Sequence, residues 1–422
     1  MKADNSPARG MRDLLPADVA TRDHVLHAIT STYRTFGYQR IETPALEDIN
    51  RLQGGQGGEN EKLIYQVLRR GLPETTEADA PIRDLVDLGL RFDLTVPLTR
   101  FYGNNHATLP TPFRSLQVGP VWRAERPQKG RYRQFYQCDI DMIGEPSVLA
   151  EAELIEATTA ALAAVGLHDI TVRLSDRRFL SALATDAGLP EESWDRFFIT
   201  LDKLDKIGWD GVRAELADMG LPTTAITAAL DKISNLREVP AEKLADALTT
   251  AVPSLADTVV DDLAATTASL DRLAQQRSLR WEFDPTLVRG MGYYTGQIFE
   301  ITHPEMSSSV AGGGRYDKLI GHSLGKDVPA CGFSIGFERI VGLLSDEIAR
   351  NATAVLAESD ISVADALAVA RDLRSQDRVV EVVRRSGKLG APLKRLQTAG
   401  FASFVSVSNE SGTLMIGDKR SI

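Results

Sequence analysis

Polar side chains that could do chemistry concentrate between Phe113 and Gly144, FRSLQVGPVWRAERPQKGRYRQFYQCDIDMIG. Arg123 and Glu125 stand two apart, as do Gln137, Asp139 and Asp141. At strand spacing, residues two apart share a face. Fixed guanidinium and carboxylate groups on one sheet face could grip a ligand carrying both signs of charge. Burying them without a partner is expensive. The residues alone leave two readings open: a ligand-binding face, or the solvated side of an antiparallel sheet. Three other segments carry comparable groups. RFDLTVPLTR (91–100) is expected to set Asp93 and Thr95 on one strand face, where a carboxylate and a hydroxyl could hold an ammonium group. Arg289, Tyr293 and Tyr294 stand among Gly290, Gly292 and Gly296, which permit close approach of a ligand or backbone. Arg339 sits at a strand–helix junction, where a structural salt bridge is as compatible as an anionic ligand.

The elements that must hold these groups follow from local pattern. Ser115–Trp122 and Phe135–Ile143 read as the arms of a hairpin. The loop between them carries Arg126, Lys129, Arg131 and Arg133 with Pro127 and Gly130. Asp18–Phe36 has helical spacing and stops at Gly37, and a short strand Tyr38–Ile41 precedes Pro44. Gln53–Gly58, QGGQGG, is a flexible loop or a flap over a substrate; it lacks the Gly-Lys-Ser/Thr of a phosphate-binding loop. Val148–Val165 is an Ala- and Leu-rich helix. From about Ile170 to Arg280, short helices broken at Gly188, Gly208, Gly220 and Pro222 read as a helical insertion, with Asp202–Lys206 as a solvated helix face. The sheet resumes at Trp281. Ala311–Gly321, AGGGRYDKLIG, is expected to be a turn feeding a short helix, and Cys331–Leu344 a strand running into an amphipathic helix. From Thr353 a β-α-β-α-β order (353–357, 361–373, 379–383, 389–398, 401–407) predicts a small α/β unit. Its basic residues Arg371, Arg374, Arg378, Arg384, Arg385, Lys388, Lys394 and Arg395 are either a solvated surface or an RNA contact.

The bulk numbers set the class. The chain has 422 residues, enough for two or three domains. At 43% hydrophobic and 25% charged it has an ordinary globular composition. It has no apolar run long enough for a transmembrane helix, and its first residues lack the apolar core of a signal peptide, so a cytoplasmic protein without a membrane partner is expected. Two cysteines make neither a disulfide framework nor a zinc site. A net charge of −10 opposes indiscriminate nucleic-acid binding, and DNA is not an expected partner; a local basic patch still suffices for one specific RNA.

Taken together, the motifs resemble the class II aminoacyl-tRNA synthetases, and among them the histidyl-tRNA synthetases, from Ala8 to about Gly417. Arg123-Ala124-Glu125 is similar to the Arg-x-Glu of the class II motif 2 hairpin, and Gly336-Phe337-Glu338-Arg339 to motif 3. Leu287–Gly296 resembles the histidine-specific LVRG(L/M)xYYTG, and Gly312–Asp317 is GGGRYD. Motif 1 would be the helix and strand ending near Pro44. The resemblance implies an α+β fold: a class II antiparallel sheet flanked by helices, with a helical insertion and a small C-terminal α/β domain. Its implied divisions are 1–169 (catalytic core with motifs 1 and 2), 170–280 (insertion), 281–350 (histidine signatures and motif 3) and 351–422 (a shortened anticodon-binding-like domain).

The same resemblance implies histidine–tRNA ligation by a homodimer that uses ATP, with Mg2+, as a substrate and has no metal site of its own. Arg123, Arg289 and Arg339 would be catalytic and hold ATP. Arg123 and Arg289 would face the α-phosphate and Arg339 the γ-phosphate, while Glu125 would accept from the adenine amino group. Asp93, Thr95 and Gln137 would bind the α-amino group of histidine. Asp141 and Tyr294 would read its imidazole, with Tyr293 packed nearby. Gln128 and Arg131 would approach the acceptor end of tRNA(His). Gly292 departs from the family, which usually has aspartate there. The sequence also stops at Ile422, before a further strand and helix usual in the family, so altered anticodon contact is expected. Two rivals share the resemblance: a regulatory-subunit-like paralogue of ATP phosphoribosyltransferase, and a paralogue that activates an amino acid for an acceptor other than tRNA.

Overall fold

The computed structural model describes residues 5–54, 63–72, 81–126, 131–288, 293–344, 352–375, 379–385, 389–411 and 413–422. Two compact units divide the chain: Met1–Asp13 with His24–Leu344, and Leu14–Asp23 with Ser345–Ile422. The fold is α+β.

The larger unit is built on an eight-stranded sheet. Its strands, with those of a small companion sheet, are β1 (Gln39–Arg40), β2 (Leu46–Asp48), β3 (Gln66–Leu68), β4 (Val86–Leu90), β5 (Phe113–Trp122), β6 (Gln134–Ile143), β7 (Ile170–Asp176), β8 (Leu279–Phe283), β9 (Gln297–Thr302), β10 (Ala311–Arg315) and β11 (Ala330–Ile335). The main order is β1-β5-β6-β11-β10-β9-β7-β8, antiparallel from β5 to β7 and parallel at either end. Strands β2, β4 and β3 form the companion sheet. The hairpin arms are the expected ones, each slightly longer than its apolar pattern.

Alternation on the strands explains the layering. Cys138, Ile140 and Met142 on β6, Phe333 and Ile335 on β11, and Phe299 and Ile301 on β9 all turn to one face and are buried in the main core. Helices Pro16–Thr35 and Leu149–Ala164 supply Val25, Ile29, Tyr33, Leu154, Ile155 and Leu162 to the same core. Each such fully buried side chain contributes about 1.5–3 kcal/mol. The opposite face of the same strands carries the polar ladder.

Three local expectations are corrected. Ile170–Asp176 is a sheet strand; the helices begin at Arg177 and run to Gln276. Alanine- and aspartate-rich composition masked a run whose Ile170, Val172 and Leu174 alternate into the core. Second, Gly312–Gly314 is not a turn but the middle of buried strand β10. A Cβ at Gly313 would run into the Gly332 carbonyl, and one at Gly314 would lie 2.6 Å from the Gln297 oxygen, so the glycines serve close strand packing. Third, residues 91–100 are not a strand. Thr95 opens a helix to Asn105, and the Asp93 carboxylate accepts from the Val96 amide at 3.1 Å. That local bond wins over strand propensity, and Pro97 is tolerated because first-turn amides have no helical partner. Within Gln53–Gly58, residues 55–58 lie outside the described residues.

Gly188, Gly208 and Gly220 have φ of +75°, +70° and +76°, and Pro222 precedes the helix Thr223–Arg237, so these residues break the helical run as read.

The smaller unit has β12 (Ala352–Ala357), β13 (Val379–Arg384), β14 (Phe401–Glu410), β15 (Thr413–Ile416) and β16 (Arg420–Ser421). The first three are parallel in the order β13-β12-β14, with β15 and β16 antiparallel to β14. Helices Val363–Arg374 and Gly390–Thr398 complete a small α/β fold. Three of its arginines serve the fold itself: Arg374 donates to Val380 O (2.8 Å), Arg384 to Glu358 O (3.0 Å) and Ile361 O (2.5 Å), and Arg385 pairs with Glu358 (2.8 Å). Arg371, Lys394 and Arg395 are exposed; Arg378 and Lys388 lie outside the described residues.

Candidate active site

The register of the main sheet sets up rows of side chains on its polar face. One row runs Gln117, Asp139, Ser334, Gly312, Glu300, Arg173 across six strands. The adjacent row runs Ser115, Asp141, Gly332, Gly314, Ile298, Ser175. Glycine and serine in the middle make a low floor flanked by acidic groups. A cavity of about 1060 Å³ stands on this floor. Lining it are Asp93, Thr95, Arg123, Glu125, Arg131, Gln137, Asp141, Tyr293, Tyr294 and Arg339. Every candidate residue that the structure describes is thus in one place, although they span some 250 positions of sequence. Arg289 and Gln128, like Gly292, lie outside the described residues.

The segment carrying Asp93 is tied to the end of β5. Arg91 donates to Thr43 O (2.7 Å) and Pro120 O (3.0 Å), and a Cβ on residue 119 would come 2.5 Å from its guanidinium, so a side chain there would displace Arg91. Gln117 donates to Leu94 O at 2.9 Å, and Arg123 to Phe92 O at 2.9 Å. The Arg123 guanidinium also lies 5.1 Å from the Phe135 ring.

Three carboxylates share the chamber, each at most 4% exposed. Burial pushes Asp93 up to about 6; the Val96 amide and the charge of Arg123 pull the other way. Burial likewise pushes Asp141 up to about 7, against hydrogen bonds from Tyr316 Oη (2.5 Å) and Ser115 Oγ (3.4 Å). Asp139 lies well above the usual carboxylate range, through burial and then the charge of Asp141. Gln137 Nε2 donates to Ser334 Oγ (3.1 Å) and Asp139 Oδ2 (3.4 Å). That leaves Asp93 Oδ2, Gln137 Oε1 and Asp139 Oδ1 buried with no hydrogen-bond partner among the described residues. Orphaned buried acceptors are rare and costly. Three of them around one cavity call for a ligand rich in N–H donors and positive charge. Imidazole and ammonium groups both meet that description.

At the hairpin end the chemistry changes sign. Arg123, Arg131 and Arg339 face the cavity with Phe135 and Tyr136. Glu125 is paired with Arg131 at 3.4 Å, and Arg339 donates to the Ser309 carbonyl. Arginines beside aromatic rings suit a polyphosphate attached to a flat base. The tyrosines wall the donor-seeking end: the Tyr293 and Tyr294 rings are 4.6 Å apart, and Tyr293 meets Tyr316 edge-on at 5.9 Å.

Sequence reasoning left several cavity residues without a role. Asp139 is one, although its spacing from Gln137 and Asp141 puts it on their face. Tyr316 is another; its only sequence signal is membership of the GGGRYD run. Glycine at 332 is required because a Cβ would collide with Asp141 Oδ1. Arg173, which pairs with Asp284, lies in the stretch that reads from sequence as helical insertion, so its place on the sheet face carried no signal.

Comparison with known proteins agrees with this chemistry. A family model described as histidyl-tRNA synthetase matches residues 10–340. The chain is 48% identical over 417 residues to a histidine–tRNA ligase of Leifsonia xyli subsp. xyli, covering 96% of each protein. It is 44% identical over 352 residues to a probable histidine–tRNA ligase of Tropheryma whipplei, covering 81% of each. Among solved structures, histidyl-tRNA synthetase from Nostoc sp. PCC 7120 superposes with a TM-score of 0.80 at 25% identity, over 98% of this chain and 97% of that one. An ATP phosphoribosyltransferase regulatory subunit/histidyl-tRNA synthetase from Bacillus halodurans C has a TM-score of 0.79 at 22% identity, over 96% of this chain and 99% of that one; this likeness shows the fold alone.

Proposed function

The chain belongs to the histidyl-tRNA synthetase family, and we propose that the cavity on its main sheet is where histidine is activated by ATP before transfer to tRNA(His). The protein is an aminoacyl-tRNA ligase with histidine, ATP and tRNA(His) as substrates. Activation joins a histidine carboxylate oxygen to the α-phosphorus and breaks that phosphorus's bond to the bridging oxygen of pyrophosphate, which leaves. Transfer then moves the histidyl group to a hydroxyl of the tRNA and releases AMP.

The observation that supports this assignment is the set of orphaned acceptors, Asp93 Oδ2, Gln137 Oε1 and Asp139 Oδ1, in the same chamber as Arg123, Arg131 and Arg339. In our reading Asp93, Thr95 and Gln137 take the α-ammonium, with Asp139 adding counter-charge. Asp141, held by Tyr316, and Tyr294 read the imidazole nitrogens, and Tyr293 packs against the ring. A site that satisfies both ring nitrogens rejects isosteres that would strand its own polar groups. Arg123 and Arg289 hold the α-phosphate, where negative charge grows during attack, and Arg339 the γ-phosphate; fixed cations there stabilise the transition state. Glu125 exchanges Arg131 for the adenine amino group, freeing Arg131, with Gln128, toward the tRNA acceptor end. Mg2+ belongs with ATP as the counter-ion of its phosphates. The three arginines disfavour a purely regulatory role, which needs no cation at an α-phosphate.

We place the smaller unit at the anticodon, through exposed Arg371, Lys394 and Arg395. We also assign a homodimer, supported by exposed Leu46, Leu68 and Ile82 (43%, 64% and 65%) on and beside the companion sheet; light scattering of Leu68→Asp against the parent chain tests it. Cytoplasm is the compartment that offers ATP and tRNA. No described helix is long and apolar enough to cross a membrane. Histidine-dependent ATP–pyrophosphate exchange tests the central reading. Exchange that needs histidine and falls at least about a hundredfold in Arg289→Ala is expected; a folded parent chain that shows none would overturn it.

A further inference from the structure

The segment Arg9–Arg12 precedes every motif so far given a role, yet it is bonded to the residues that lead into the second arm of the hairpin, Tyr132 and Arg133, and to motif 3. The Arg133 amide donates to Gly10 O at 2.9 Å, and its Nη1 to Arg9 O at 3.2 Å. Arg133 in turn reaches the first arm, donating through Nε to Glu125 O at 3.0 Å and accepting from the Arg123 amide at 2.9 Å. Arg12 makes the longer connection. Its guanidinium carbon lies over the Tyr132 ring, 3.9 Å from the centroid, and Nη1 donates to Tyr132 Oη at 3.1 Å. Nη2 pairs with Glu338 Oε2 at 2.6 Å, while Glu338 Oε1 accepts from the Tyr136 amide at 3.2 Å. The Glu338 side chain is only 10% exposed, so this is more than a surface pair.

Glu338 adjoins Arg339, and Tyr136 adjoins Phe135, the ring beneath Arg123. Glu338, with the Arg12 guanidinium on one oxygen and the Tyr136 amide on the other, therefore ties the hairpin to the helix that carries Arg339. We propose that Arg12 is a positioning residue for ATP: it sets the separation of Arg123 and Arg339 so that both meet one triphosphate. This rests on the assignment of the hairpin end of the cavity to ATP. Arg12 itself touches no reacting atom. Its effect is felt in ATP use and not in histidine binding, because its contacts stop at the hairpin end of the chamber. An ammonium can keep the charge beside Glu338 but cannot also reproduce the guanidinium's contact with the Tyr132 ring and hydroxyl.

The test is ATP–pyrophosphate exchange on the full-length chain, with KM determined separately for ATP and histidine, for Arg12→Ala, Arg12→Lys, Tyr132→Phe and Glu338→Gln. Loss of a charge-assisted contact predicts a roughly tenfold or greater rise in the KM for ATP in Arg12→Ala, with the KM for histidine within about twofold. Arg12→Lys should recover part of the loss, and Arg12→Ala with Glu338→Gln should be no worse than Glu338→Gln alone. Unchanged KM for ATP in Arg12→Ala overturns the proposal. So does an equal rise in both KM values with a lowered melting temperature, which marks general loosening. If Arg12→Ala does not fold, Arg12→Lys and Tyr132→Phe decide: both must raise the KM for ATP selectively, and parental values in both overturn the proposal. Exchange absent in the parent chain would instead overturn the ATP assignment.

Discussion

Replacing Asp93 with asparagine should make the free protein more stable and the enzyme worse. Asp93 is 2% exposed, and one of its oxygens has no partner among the described residues. Its carboxyl pKa rises from 3.8 to about 6 on folding. A raised carboxyl pKa means that the folded state holds the proton more tightly, so stability is lost as pH climbs from about 4 through about 6. The full cost at pH 8 is about 3 kcal/mol, and roughly half of it remains at pH 5. Asparagine keeps the oxygen that accepts from the Val96 amide and removes the charge. It also relieves Asp139 and Asp141, both of which the Asp93 charge pushes up. Thermal melts without ligand should show the variant higher by a few degrees at pH 8, with the gap narrowing by pH 5. Histidine should reverse the order, because its ammonium group compensates the parent carboxylate. The KM for histidine should rise about ten- to hundredfold, the worth of a charge-assisted hydrogen bond, with little change for ATP. A variant less stable than the parent at both pH values, or one with an unaltered KM for histidine, would refute the reasoning.

Tyr316→Phe deletes the 2.5 Å bond that lowers the Asp141 pKa, so the acid limb of kcat/KM for histidine should move upward in pH, with a loss of about tenfold below it; steady-state kinetics from pH 5.5 to 8.5 would show it. Gly332→Ala sets a methyl group against Asp141 Oδ1 and should abolish histidine-dependent exchange, while near-native circular dichroism reports that the sheet survives. Reversing the exposed charges Arg371, Lys394 and Arg395 to glutamate should reduce charging of full-length tRNA and leave an acceptor minihelix unaffected, measured by histidine incorporation into each.

The hairpin could be read from sequence because period-two alternation and a basic turn act locally. The small α/β unit was legible for the same reason: its strands and helices are short, regular and separated by polar turns. What misled was composition. Three glycines in a row suggest a turn, and only the neighbouring strands reveal that close packing demands them. Thr95 looked like a strand residue because Asp93's cap on Val96 is a single hydrogen bond, invisible in propensity. In the site, Gln137 and Asp141 shared a face by simple counting, and the same counting reached Asp139 without giving it a task. Arg12 carries no local signal at all. Its partners, Tyr132 and Glu338, lie 120 and 326 positions away, a distance only the folded chain closes.

Strand β6 pairs on one side with β5, its hairpin partner, and on the other with β11, so Asp139 faces Gln117 and Ser334. The second partner is about 190 residues downstream and leaves the ribosome on the order of 10–40 s later. Throughout that interval β6 is an open edge, the kind of template on which unrelated chains pair and precipitate. Charged side chains on a waiting edge discourage such pairing, and β6 carries two aspartates in its second half. The groups that later receive the substrate would thus first act as a guard during biosynthesis. The active site is also the last part of the main sheet to close, so a truncated or stalled chain carries the hairpin without the strand that completes the chamber.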